Sequence, residues 1–159
     1  MLRTKYNSQN SLETAVLFLD VVLLHFAKSF ETRMKTQGEI EAAISDGINR
    51  FEQEHMGRGP EAIHSYLIGD FLVIRLQDVL TAAEKQLAQS LPVQKGRDLL
   101  KQVRTQLIET ARPVLEAMVQ EITGVKILSL HHDISTISGE EIIIFTLAEA
   151  PDYRAIKRK

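Results

Sequence analysis

GRGPEAIHSYLIGDFLVIRL, residues 57–76, decides the fold class. Two short β-rich runs, 62–68 and 71–76, flank the pair Gly69-Asp70. Glycine at the first of two turn positions suits a type II′ turn, so the stretch reads as a β-hairpin. Ahead of it, Gly57-Arg58-Gly59-Pro60 stops whatever precedes, because glycine takes the left-handed cap and proline cannot continue a helical ladder. What precedes is an amphipathic helix over 37–55, in which Ile40, Ile44, Ile48 and Phe51 recur at helical spacing on one stripe.

Downstream, Thr81-Ala82-Ala83-Glu84 is a capping box that opens a helix to about Ser90. Pro92 breaks that helix, and a longer one starts near Gln94. Leu100, Val103, Leu107, Ala111, Val114, Met118 and Ile122 repeat every three or four positions and predict its buried stripe. Pro113 predicts a kink within it, and Gly124 ends it. Residues 125–134 and 141–147 form a second hairpin that turns through Ser138-Gly139. Ile142-Ile143-Ile144-Phe145 is apolar on both faces, which predicts a central strand or one covered by helices. The order is helix, hairpin, two helices, hairpin. It predicts an α+β fold in two layers, with helices packed on a four-stranded, largely antiparallel sheet made of two β-hairpins.

Composition narrows the function classes. The 159 residues are 44% hydrophobic and 25% charged, with 19 basic against 21 acidic side chains, which is the balance of one globular domain and not of a disordered chain. No basic excess exists to displace counterions from nucleic acid. The absence of cysteine removes disulfides, thiolate nucleophiles and thiolate metal sites. Residues 15–27, AVLFLDVVLLHFA, are the most apolar run, but fall short of the roughly 18–20 residues that cross a bilayer. Asp20 interrupts the run, and no small-residue cleavage pattern follows, so export or anchoring is the weakest reading. The run reads either as an amphipathic or buried helix or as upstream of a start at Met34. The chain therefore divides into an N-terminal extension, 1–33, a domain, 34–150, and a basic tail, 151–159, that is expected to fray. Residues 34–159 carry 15 basic and 18 acidic groups, so no basic domain hides in the total.

Few residues suggest chemistry. The 57–60 turn offers an amide nest beside Arg58, a seat for an anion, although no P-loop pattern accompanies it. In a strand His131 and Asp133 share one face and His132 takes the other, so polar surface explains them better than a metal does. Glu140 and Glu141 flank a turn, where solvated charge is expected. Arg97, Lys101 and Arg104 share a helix face, which reads as solvated surface or a seat for an acidic partner. No nucleophile elbow or HExxH helix is present. No catalytic set, metal or cofactor is expected.

The ordered landmarks resemble the bacterial MpsC-like family. They are Gly57-Arg58-Gly59-Pro60, Asp70 with the strand 71–76, Leu80-Thr81 with Glu84 and Leu87, Arg97 and Arg104, Ile122-Thr123-Gly124-Val125, Asp133, and Phe145-Thr146-Leu147. The resemblance covers residues 38–147 and excludes the extension. It implies association with a sodium-translocating, membrane-potential-generating system linked to inorganic-carbon uptake, whose membrane subunits are separate proteins. It also implies a soluble domain without established catalysis. Among the matching positions, Arg58, Arg97, Arg104 and Asp133 have no evident folding duty, so the candidate binding residues are Gly57, Arg58, Gly59, Arg97, Arg104 and Asp133.

The leading expectation is a cytoplasmic, non-enzymatic accessory domain that binds protein partners, membrane transport subunits among them, with no nucleic acid and no membrane span. The competing one is a sensor or enzyme for a small anion, such as bicarbonate or a phosphate ester, built on the 57–60 turn and nearby arginines. A homodimer through 141–147 or the N-terminal segment is the third.

Overall fold

The structure, a computed structural model, describes residues 34–90 and 92–155. The readings of the apolar run 15–27, of the Met34 start and of the last basic residues lie outside the described residues. Thr36 opens the first helix. Its hydroxyl accepts from the Glu39 amide at 3.2 Å, while a Glu39 carboxylate oxygen accepts from the Thr36 amide at 2.7 Å. This capping box starts α1, Gln37–Phe51, whose stripe Ile40, Ile44, Ile48 and Phe51 is buried as its spacing predicts. A π-helical turn, Glu52–Met56, follows, and Gly57 closes it at φ 85°.

Strands β1, Ala62–Ile68, and β2, Phe71–Gln77, pair antiparallel. Gly69 sits between them at φ 63°, the conformation a type II′ turn asks of its first residue. The predicted box at Thr81 forms, with the Thr81 amide donating to Glu84 Oε2 at 2.7 Å and the Glu84 amide donating to Thr81 Oγ1 at 3.2 Å. It opens α2, Ala82–Ser90, which leads to the long α3, Val93–Thr123. Helix α3 continues unbroken through Pro113. Strands β3, Ile127–Ile134, and β4, Glu141–Leu147, complete a four-stranded antiparallel sheet in the order β1-β2-β4-β3.

The pleat sorts side chains onto two faces. Leu67, Leu72, Phe145 and Leu130 make one inner row across the four strands, and Leu76, Glu141 and Ile134 belong to another. These rows are buried in one core with α1 and α3. The reading of β4 as central holds: β2 and β3 flank it, and Ile143 and Phe145 are fully buried while Ile142 and Ile144 are half-buried on the outer face.

On α3 the structure corrects the predicted stripe. Val103, Leu107 and Val114 are exposed, and the core face instead runs through Leu100, Arg104, Ile108, Ala111, Leu115 and Val119. Both sets repeat at helical spacing, so α3 carries an apolar surface wider than its buried face. The cost of phasing it by apolar residues alone is that the buried arginine is placed outside. The tail also departs from expectation. The Arg154 amide donates to the Lys35 carbonyl at 2.9 Å and Pro151 is buried, so the chain is pinned as far as Arg154. No helix among the described residues is long and apolar enough to cross a membrane.

Gly96 fixes how α2 meets α3. A Cβ there would lie 2.5 Å from the Leu87 carbonyl oxygen and 3.3 Å from the Ala88 Cα, both backbone atoms that cannot swing aside. Gly96→Ala is therefore expected to destabilise the domain by about 1–3 kcal/mol, despite alanine's better helix propensity. Urea denaturation checks this; an unchanged or higher midpoint would show that α2 moves freely against α3.

Candidate functional site

Arg104 lies in the middle of the core face of α3 with no solvent exposure. Burying a guanidinium costs several kcal/mol unless carboxylates and carbonyls replace its water. Four segments supply them. From α2, Glu84 takes Nε at 2.9 Å and Nη2 at 3.3 Å, one on each carboxylate oxygen. From β4, Glu141 accepts from Nη1 at 3.0 Å, and the Val79 carbonyl after β2 accepts from Nη2 at 2.9 Å. Glu52, in the turn after α1, brings Oε2 to 3.6 Å from Nη1, beyond hydrogen-bond distance. One side chain thus ties together both sheet hairpins, α2 and the end of α1.

The surroundings treat the carboxylates differently. Burial works against ionising Glu84, but the bonds from Arg104 and from the Thr81 amide and hydroxyl hold its carboxyl below the ordinary range. Glu52 has no such bonds: both oxygens are buried without a hydrogen-bond partner. Burial first, then the neighbouring Glu141, pushes its carboxyl up to about 8, with Arg104 pulling the other way. Glu52 is therefore mostly protonated at neutral pH. Burial alone would lower Arg104, yet Glu84, Glu141 and Glu52 together raise it. His132 completes the cluster from β3, its Nδ1 3.6 Å from Glu141 Oε1, and neither atom has a hydrogen-bond partner.

Sequence reasoning misplaced four of these groups. Glu141 was expected in solvent beside its turn and is fully buried; Arg104 was expected on an outer helix face; His132 was expected on polar surface and lies against Glu141. Glu52 was expected mostly apart from the apolar stripe of α1 and is fully buried as well. The other candidates have separate neighbours. Arg58 donates to Asp78 at 3.2 Å and to the Leu80 carbonyl at 3.1 Å. Gly57 and Gly59 bracket it in the turn, and a Cβ on Gly59 would meet Asn49 Oδ1 at 2.6 Å. Asp133 holds Lys101 at 2.7 Å, and this bond keeps its carboxyl low. Arg97 lines a cleft between α2, α3 and the β3–β4 turn. The six residues are thus not gathered around one shared ligand seat. Among the described residues no group of three or more His, Asp or Glu side chains is placed to hold a metal ion.

What the cluster does chemically is store charge and one proton. Glu52 and Arg104 are sealed from solvent, which leaves them unable to touch a substrate, whereas protonation of Glu52 changes the charge of the core itself.

Comparison with known proteins places these features in a family. A family model described as Na+-translocating membrane potential-generating system (MpsC) matches residues 36–149, beginning on the Thr36 cap of α1. Two proteins of Bacillus subtilis (strain 168) are similar in sequence. Uncharacterized protein YbcI is 33% identical over 113 residues, covering 71% of this chain and 89% of that protein. Uncharacterized protein YrhF is 29% identical over 104 residues, covering 64% and 82% respectively. No solved structure matches the chain.

Proposed function

The chain belongs to the MpsC family, and from that premise we propose that it is an accessory domain of a membrane-potential-generating system, acting by binding another protein and not by catalysis. The family description supplies the system, and the outer face of the sheet is the observation that carries the binding role. Tyr66, Ile68 and Phe71 are 48%, 63% and 46% exposed there. Ile68 pairs directly with Phe71, and the next row runs Tyr66, Val73, Ile144, so the patch is continuous across three strands. A contiguous apolar patch with aromatic anchors is what a protein partner buries. On this reading the domain works at the cytoplasmic side of separate membrane subunits, in a system that serves inorganic-carbon uptake.

The test is purification of the tagged full chain from the membranes of its own host. The parent is expected to retain the membrane subunits of the system, and Phe71→Glu to lose about nine-tenths of them or more, the effect of placing a charge at an interface anchor. Equal recovery with both chains, or a parent recovered alone, overturns the reading. A parent dimer in light scattering that Phe71→Glu dissolves would assign the face to a second copy instead.

A further inference from the structure

Of the four polar landmarks without a folding duty in the sequence, three have partners within the chain: Arg58 pairs with Asp78 and the Leu80 carbonyl, Arg104 with its glutamates, and Asp133 with Lys101 at the surface. Arg97 does not. Among the described residues its guanidinium has no hydrogen-bond or ion-pair partner, and it is half-buried. It lines a cleft of about 250 Å3 together with Lys85, Leu80, Thr136, Ser138 and Gly139.

The charge around this cleft is lopsided. No carboxylate is among the described residues that line it. The nearest fixed one on Lys85 is Asp78, which Lys85 holds at 2.8 Å and Arg58 at 3.2 Å. The bond from Lys85 leads in keeping that carboxyl low, and so Asp78 is already spent on two cations. Of the two cations that line the cleft, Lys85 is paired with Asp78 and Arg97 with no described residue, which leaves one positive charge uncompensated. The hydroxyls of Thr136 and Ser138 add donors: Ser138 Oγ accepts from the Glu140 amide at 3.3 Å and keeps its own proton to give.

We propose that this cleft binds a small oxyanion, a carboxylate or a phosphate group, through the guanidinium of Arg97. A half-buried cation lacking a counter-charge is stabilised by whatever supplies one, and the planar fork of arginine matches two oxygens at once. The volume lies below the roughly 300–1,000 Å3 of pockets that enclose drug-sized ligands, so the group seated there has few heavy atoms. The residues are separate from those of the outer sheet face, and the proposal stands apart from the partner-binding reading.

The experiment is a titration of the 15N-labelled full chain with inorganic phosphate and, separately, with acetate, at ionic strength held constant with sodium chloride. Saturating shifts are expected at the amides of residues 136–139 and at Arg97 Nε, from phosphate if the seat fits a tetrahedral group and from acetate if it fits a planar one. Arg97→Gln is expected to weaken the binding about tenfold or more, the loss of a charge-assisted pair, with Arg97→Lys in between. Since Arg97 has no hydrogen-bond or ion-pair partner among the described residues, both variants should keep the parent's thermal midpoint. If neither anion gives saturating shifts, or if Arg97→Gln binds as tightly as the parent, the cleft is not an oxyanion site.

Discussion

An Arg104→Met chain is expected to lose about 3–5 kcal/mol of stability, the cost of removing one partner from a buried ion pair. Methionine replaces the aliphatic stem of the side chain but not the guanidinium, so the loss combines the missing charge with a small cavity. It leaves Glu84 and Glu141 without their buried counter-charge, and it frees the Val79 carbonyl. Against a total of about 5–15 kcal/mol for an ordinary domain, such a loss brings the chain close to unfolding at 37 °C. Guanidinium denaturation followed by circular dichroism reads it directly. A second chain separates the causes: Arg104→Met combined with Glu52→Gln, Glu84→Gln and Glu141→Gln should recover much of the loss, because no buried charge is then left uncompensated. If the single variant is as stable as the parent, Arg104 does not hold the four segments together. If the combined chain recovers nothing, packing and not charge carries the effect.

Why the secondary structure was legible while this cluster was not follows from where each signal sits. The hairpin at Gly69-Asp70, the Thr81 box and the Gly57 and Gly124 stops are local, decided by the backbone needs of two to four residues. The layer arrangement then follows from element order. The Thr36–Glu39 box carries the same T-x-x-E pattern as Thr81–Glu84 and is legible by the same rule. The buried charges needed a different rule. Glu52 stands four residues after Ile48 on the α1 stripe, Arg104 midway between Leu100 and Ile108, and Glu141 in step with Ile143 and Phe145. Each is a charge in an apolar register. Alone, each reads as an interruption at the edge of its element; only three such interruptions meeting in space make the arrangement favourable, and sequence order does not show that they meet. The two apolar stripes of α3 made it worse, because phasing the helix on Val103 and Leu107 turns Arg104 outward. Arg97, by contrast, has no evident folding duty in the sequence and no hydrogen-bond or ion-pair partner among the described residues.

The second large effect is in pH. Glu52 has its folded carboxyl near 8 against an ordinary value of 4.5. Between those values the folded chain keeps a proton that the unfolded chain has released, so stability falls as pH rises from about 5 to about 8. Below that window both states are protonated and Glu52 contributes no penalty; above it the full cost of a buried carboxylate applies, on the order of a few kcal/mol. Glu84, Asp78 and Asp133 act with the opposite sign, since their carboxyls are held low and their stabilisation is lost as acid protonates them. The parent should therefore be most stable near pH 5, and lose stability on both sides. A Glu52→Gln chain carries a neutral group at every pH, so it should match the parent near pH 5 and exceed it at pH 8. Denaturant midpoints of both chains across pH 4–9 check this. A decline that persists unchanged in Glu52→Gln would show that Glu52 is not its origin. Hydrogen exchange adds the location. Glu52 opens the π-helical turn that runs into Gly57 and Arg58, whose guanidinium reaches Asp78. Charging it should therefore loosen residues 52–60 first, and leave the paired strands β2 and β4 as protected at pH 8 as at pH 5.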